Sequence, residues 1–190
     1  MNVLSVLVCN GISQTTIREE NDYYATNPKA MYKLLEHETF NDNIWEPACG
    51  EGNLSEVLKE QGYKVFSTDL IDRGYQEKQM DFLKESYQFN GDIITNPPFK
   101  YANEFIIKAL ASIPEGNKVA MFLKLTSLSG KKRYKEIYSN YPPSKVYVFT
   151  GRITCSKNNE HKSFTGGAMD FAWFVWEKGK YGPTYLKWIE

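Results

Sequence analysis

Cysteine and histidine are both scarce. Cys9, Cys49 and Cys155 are the only thiols, odd in number and without Cys-x-x-Cys spacing, and His37 and His161 are the only imidazoles. That pattern argues against a disulfide framework and against a structural zinc site, and it suits a reducing cytoplasm. Long hydrophobic runs are missing as well. The apolar stretch from Val3 to Val8 is short and has no basic residue before it, unlike a secretory leader, and nothing approaches the ~20 apolar residues of a membrane helix. The expectation is therefore a soluble, cytoplasmic protein with no bound metal and no membrane partner. Net charge is absent too, with 23 basic and 23 acidic residues among 190. At this length, with 42% hydrophobic residues, one sizeable core and one domain are expected.

The charge that cancels overall is unevenly placed. Between Lys124 and Lys162 stand nine basic residues against only Glu136 and Glu160, so this third carries +7 and the remainder −7. A local field extends over about 8–10 Å, so a neutral protein can still hold a polyanion on one face. The plainer alternative is a solvated helix and loop. Candidate phosphate contacts are Lys131, Lys132, Arg133 and Lys135 on a helix expected from Lys131 to Ser139, and Arg152, Lys157 and Lys162 in a loop from Gly151 to Gly167.

From about residue 28 the chain alternates between helix-like and strand-like pieces. Pro28 suits a first helical turn, with Thr26 or Asn27 as cap, and Met31, Leu34 and Leu35 recur at helical spacing. Asn43-Ile44-Trp45 reads as a strand. Leu54, Val57 and Leu58 form a helix face that stops at Gly62. Further strands are expected at Lys64 to Thr68, Asp92 to Thr95, Lys118 to Leu125, Val146 to Phe149, Phe171 to Trp176 and Tyr185 to Ile189, with a helix from Glu104 to Ile113. Alternating units followed by consecutive strands predict an α/β, doubly wound, mostly parallel Rossmann-like sheet with a C-terminal antiparallel hairpin. Residues 1–21 form an arm or strand before a single catalytic domain spanning 22–190.

Two loops carry the chemistry. Gly50-Glu51-Gly52 follows a strand and precedes a helix, the place where an open α/β sheet receives its ligand. Asp69 ends the next strand, where a carboxylate would accept the ribose hydroxyls of an adenosine. Asn53, Leu54 and Ser55 stand where a dinucleotide fingerprint places its third glycine, which favours a nucleoside without a diphosphate over NAD. The second loop is Asn96-Pro97-Pro98-Phe99, directly after the strand Asp92-Ile93-Ile94-Thr95. Consecutive prolines fix φ and donate no N–H, so they make a rigid turn with carbonyls aimed outward. An exocyclic amine has two hydrogens to place, and the Asn96 side-chain oxygen and the Pro97 carbonyl can accept them while Phe99 stacks on a base.

Glu46-Pro47-Ala48-Cys49-Gly50-Glu51-Gly52 together with Asn96-Pro97-Pro98-Phe99 resembles the amino-group DNA methyltransferases, most of all the small adenine-methyltransferase-like proteins of phages and prophages. The resemblance covers roughly Asp22 to Trp188. It implies S-adenosylmethionine as cofactor and adenine N6 in DNA as target. By position it places Tyr24 and Thr26 at the cofactor's methionine end, with Glu46, Pro47, Ala48, Cys49, Gly50 and Gly52 beneath it. Asp69 and Leu70 would meet ribose and adenine, and Asp81 and Phe82 the adenine ring; Asp81-Phe82 also reads as an ordinary loop acid beside a core aromatic. Asn27 is an insertion relative to the commoner Thr-Pro pattern. No separate target-recognition region is expected, so specificity would fall to the Gly151 to Gly167 loop, to a homodimer or to a partner. The rival readings are methylation of an RNA base or of a protein glutamine on the same fold, and a non-catalytic accessory subunit that binds the cofactor or a nucleic acid.

Overall fold

A computed structural model describes residues 25–151, 153, 155–156 and 169–190. Tyr24, residues 1–21, Arg152, Lys157, His161 and Lys162 lie outside the described residues.

The strands are β1 (Ala25–Thr26), β2 (Asn43–Glu46), β3 (Lys64–Asp69), β4 (Lys78–Gln79), β5 (Asp92–Thr95), β6 (Lys118–Lys124), β7 (Lys145–Phe149), β8 (Cys155–Ser156), β9 (Phe171–Glu177) and β10 (Tyr185–Ile189). The principal helices are α1 (Pro28–Leu35), α2 (Asn53–Glu60) and α3 (Ala102–Ser112), with a short basic turn α4 (Lys131–Arg133). Eight strands form one sheet in the order β10-β7-β9-β6-β5-β2-β3-β4, and β1 pairs with β8 in a separate two-stranded ribbon.

The sheet is parallel except at β9, which runs antiparallel to both β6 and β7. This is the mostly parallel, doubly wound architecture expected from the alternating pattern. The antiparallel pair near the C-terminus is made by β7 and β9, and β10 lies parallel on the outer side of β7. Buried side chains divide by sheet face. Alternation along β2 sends Ile44 to one face, where Met31, Leu34, Leu54 and Leu58 of α1 and α2 cover it. It sends Trp45 to the other, where Phe105, Ile106 and Ala109 of α3, with Ile113 just after it, close the core.

Two local features differ from the periodic reading. The basic helix runs as α only to Arg133 and continues as a π turn over Tyr134–Tyr138. It buries Ile137 and lets the Tyr138 hydroxyl donate to the Ser127 carbonyl at 2.8 Å. Of the two candidate caps for α1, Asn27 takes the role, its Oδ1 accepting from Lys29 N at 2.9 Å. Thr26 is left for another task. Away from the loops, Glu38 is buried under the β6–β7 end of the sheet and accepts from Lys118 Nζ (2.6 Å), Lys145 Nζ (2.8 Å) and the Tyr147 hydroxyl (2.7 Å). Burial opposes its ionisation, but these donors outweigh it and hold the carboxyl below its ordinary range. Among the described residues no helix is long and apolar enough to cross a membrane.

Candidate active site

The chain leaves β2 toward α2, while β5 lies on the other side of β2 from β3. This is the strand-order switch at which open α/β sheets gather ligands beyond the carboxyl ends of their strands. A cavity of about 400 Å³ opens there, within the ~300–1,000 Å³ range of small-molecule sites. Thr26, Glu46, Pro47, Ala48, Cys49, Asp69, Leu70, Asp81, Phe82, Asn96, Pro97, Pro98 and Phe99 all line it. The structure therefore brings most of the residues singled out in the sequence to one wall-to-wall site, although they span over 70 positions of chain.

At one end sits the loop after β2. Gly50 has φ 57°, and its N–H donates to Asp69 Oδ2 at 2.8 Å, while Ile71 N–H donates to Asp69 Oδ1 at 2.9 Å. Two backbone donors thus orient the carboxylate, and an ionised carboxylate with about four acceptor positions still has capacity for hydroxyl donors. Glu46 is 2% exposed and accepts a hydrogen bond from the Ser55 hydroxyl, which also bonds to Ser67 at 2.7 Å. Burial pushes the Glu46 carboxyl up to about 8, the Ser55 bonds oppose this, and the charge of Asp69 adds to it. Burial likewise pushes the Cys49 thiol upward, with further contributions from Glu46 and Asp69, so Cys49 lines the cavity as a neutral group.

Gly50 and Gly52 do not line the cavity. Gly52, with φ 87°, is the N-cap of α2, and a Cβ there would lie 2.4 Å from the ring of Tyr75. The resemblance put this glycine beneath the cofactor's methionine end. The close neighbour in the fold is the chain's own tyrosine, which packs over the loop and donates to Glu56. Asp81 and Phe82 turn out to serve two purposes. Asp81 pairs with Lys84 at 3.0 Å and accepts from Leu83 N–H at 3.2 Å, and Phe82 packs edge-on against Trp45 and beside Phe105, each at 5.0 Å between centroids. Both still face the cavity.

The opposite end is the proline turn. Asn96 Nδ2 donates to Thr26 Oγ1 at 2.8 Å. Phe99 has the ammonium of Lys124 over its ring, 4.7 Å from the centroid, and Phe171 beside it at 5.7 Å. A single 3-10 turn, Phe99–Tyr101, then leads into α3. Lys100 and Tyr101 join the lining here, as do Asn53, Arg73 and Met80 at the other end. Sequence reading missed these five. Asn53 could have been found, because it opens the helix after the glycine loop; the others carry no spacing that sets them apart.

The predicted phosphate contacts separate in the fold. Lys131, Lys132 and Lys135 are exposed, with Lys132 loosely paired to Glu136 at 3.8 Å. Arg133 is instead turned into the structure, its Nε donating to Asn103 Oδ1 at 2.8 Å and a terminal nitrogen to the Ser127 carbonyl at 3.1 Å. The first bond docks α4 against the start of α3 and the second against the turn that follows β6.

The sequence matches no protein-family model and no curated protein. Solved structures resemble it in fold. A Listeria monocytogenes protein assigned to the class I S-adenosylmethionine-dependent methyltransferases superposes with a TM-score of 0.61 at 14% identity, over 94% of this chain and 68% of that one. An S-adenosylmethionine-dependent O-methyltransferase from Thermotoga maritima gives 0.53 at 14% identity, over 85% of this chain and 69% of its own. The M protein of the type I restriction enzyme EcoKI gives 0.56 at 12% identity, with 85% of this chain covering 45% of that protein. The chain thus spans under half the length of that subunit, and its architecture is the Rossmann-like fold of the methyltransferases it superposes on.

Proposed function

We propose that this protein is an S-adenosylmethionine-dependent methyltransferase acting on adenine N6 in DNA. The observation that carries the reading is that Asn96-Pro97-Pro98-Phe99 shares one cavity with Asp69 and the Glu46 loop. When bound, S-adenosylmethionine supplies an electrophilic methyl group on a sulfonium sulfur. Asp69 would take the ribose hydroxyls, and Leu70, Asp81 and Phe82, which line the same cavity, would border the adenine. The carboxylates suit a cationic cofactor, and Glu46 can ionise toward it. At the other end, Asn96 Oδ1 and the Pro97 carbonyl would accept the two amine hydrogens, drawing the nitrogen lone pair out of ring conjugation, with Phe99 packing on the base. The reaction needs alignment more than acid–base strength.

Nucleic acid is favoured over a protein side chain by the charge at the turn's end of the cavity, where Lys100 and Lys124 flank Phe99 and the exposed Lys131, Lys132 and Lys135 lie beyond. DNA is favoured by the fold's likeness to a restriction enzyme's M protein and by the sequence resemblance. The target base must be flipped out or single-stranded to enter such a cavity. The test is tritiated methyl transfer to unmethylated DNA, with RNA and protein alongside, by the wild type and Asn96→Ala. N6-methyladenine formed by the wild type and lost in the variant is the expected result; label in RNA or protein alone would move the substrate, and label in none of them would overturn the reading.

A further inference from the structure

An asparagine side chain can turn over with little change of shape, exchanging its donor and acceptor ends. For an incoming –NH2 group, which brings two hydrogens, only the acceptor end is useful. We infer that Thr26 holds the Asn96 amide in position through its hydroxyl, acting as a positioning residue for Asn96 and not as a ligand of the cofactor's methionine end. The inference rests on the methyl-transfer reading above.

Three observations support it. The Asn96 Nδ2 donates to Thr26 Oγ1 at 2.8 Å across 70 positions of sequence. When an amine hydrogen occupies Oδ1, a hydroxyl acceptor therefore already stands at the other end of the amide. Second, the Thr26 side chain has little room to wander. It is 4% exposed, its χ1 is restricted by β-branching, and its backbone is paired opposite Cys155 in the β1–β8 ribbon, one residue before the Asn27 cap of α1. Third, the Thr26 carbonyl accepts from Asn53 Nδ2 at 3.2 Å, at the first residue of α2. One residue thus bonds through its backbone to the helix that follows the glycine loop and through its hydroxyl to the amide of the proline turn.

The roles predict different outcomes. A cofactor ligand would change affinity for S-adenosylmethionine when its hydroxyl is removed. A residue that holds the amide would change the rate of the chemical step, because the Asn96 side chain would lose the bond from Thr26 that aligns it, a loss on the scale of ~10–100-fold. The experiment compares wild type, Thr26→Val, which keeps the shape, and Thr26→Ser, which keeps the hydroxyl. It reads the Kd of S-adenosylmethionine by calorimetry, single-turnover methyl transfer to DNA, and the side-chain amide resonances of Asn96 in the full-length protein. Thr26→Val should bind cofactor within about twofold of wild type and lose ~10–100-fold in rate, with Thr26→Ser restored to within a few fold. The Asn96 amide should show one hydrogen exchanging slowly with water in wild type and Thr26→Ser, and quickly in Thr26→Val. A large rise in Kd with an unchanged rate would overturn the inference, as would an amide indifferent to the substitution. If wild type methylates no nucleic acid, the functional reading falls, and the amide resonances still decide the part of Thr26. Should Thr26→Val fail to fold, Thr26→Ala serves for the same three readouts.

Discussion

Replacing Glu46 by glutamine keeps the shape of a buried side chain and removes its proton equilibrium, so the variant isolates what ionising this group costs the fold. The carboxyl is 2% exposed, and burial raises it from 4.5 to about 8. A difference of about 3.5 units at 1.36 kcal/mol per unit corresponds to roughly 5 kcal/mol. In the unfolded chain Glu46 loses its proton above about 4.5, whereas the folded protein keeps it until about 8. Between those values the native state binds the extra proton, so stability falls as pH rises, by at most ~1.4 kcal/mol per pH unit, and levels off above the folded value. Urea denaturation of wild type and Glu46→Gln at pH 5, 6, 7 and 8 should show the variant gaining steadily, by ~3–5 kcal/mol relative to wild type at the alkaline end. A gap between the two proteins that stays constant across this range would refute the assignment. A cationic ligand should favour the ionised form, so S-adenosylmethionine binding near pH 7 should release a proton in the wild type and none in the variant; calorimetry in buffers of different ionisation enthalpy measures that difference.

Gly52→Ala forces a left-handed residue and drives a Cβ into the Tyr75 ring. A loss of ~2–4 kcal/mol is expected from these two penalties, and a second change, Tyr75→Ala, should return the packing share as a recovered Tm. Glu38→Gln leaves Lys118 and Lys145 without their shared carboxylate and should cost ~3 kcal/mol by denaturant titration at pH 7. Because the Glu38 carboxyl is held low, its contribution is present at neutral pH and is lost as pH falls, so the two proteins should converge in acid. Changing Lys131, Lys132 and Lys135 together to glutamine should flatten the dependence of DNA affinity on salt by ~2–3 units of slope without altering cofactor Kd, and an unchanged slope would remove this face from the contact. Arg133→Ala should instead register first as lost stability, because its guanidinium holds Asn103 and Ser127.

Much of the architecture and of the candidate site was legible before any coordinates, because both are written in short, contiguous patterns. The period of apolar residues in Lys118 to Lys124 or in α3 reports which faces are buried, and a proline pair directly after a buried strand dictates a rigid outward turn wherever that strand lies. Likewise the glycine loop after β2 and the aspartate ending β3 fall at strand ends that a doubly wound sheet must bring together. Two-residue strands such as β1, β4 and β8 have no period to read, and the sequence offers no hint of them. Nor could it say which strand lies next to which at the C-terminus, where β9 enters between β6 and β7 and sends β10 to the edge.

What the sequence determined by itself was chemical identity at fixed strand ends: a carboxylate, a glycine turn and an amide followed by two prolines. Only the tertiary structure decided which atoms face which. It gave the close approach at Gly52 to Tyr75, turned Arg133 inward while Lys131 stayed in solvent, and set the Thr26 hydroxyl against the Asn96 amide 70 residues away. Local patterns report burial and backbone geometry because those repeat along the chain; hydrogen-bond partners at long range depend on the packing of whole elements, which no short stretch of sequence contains.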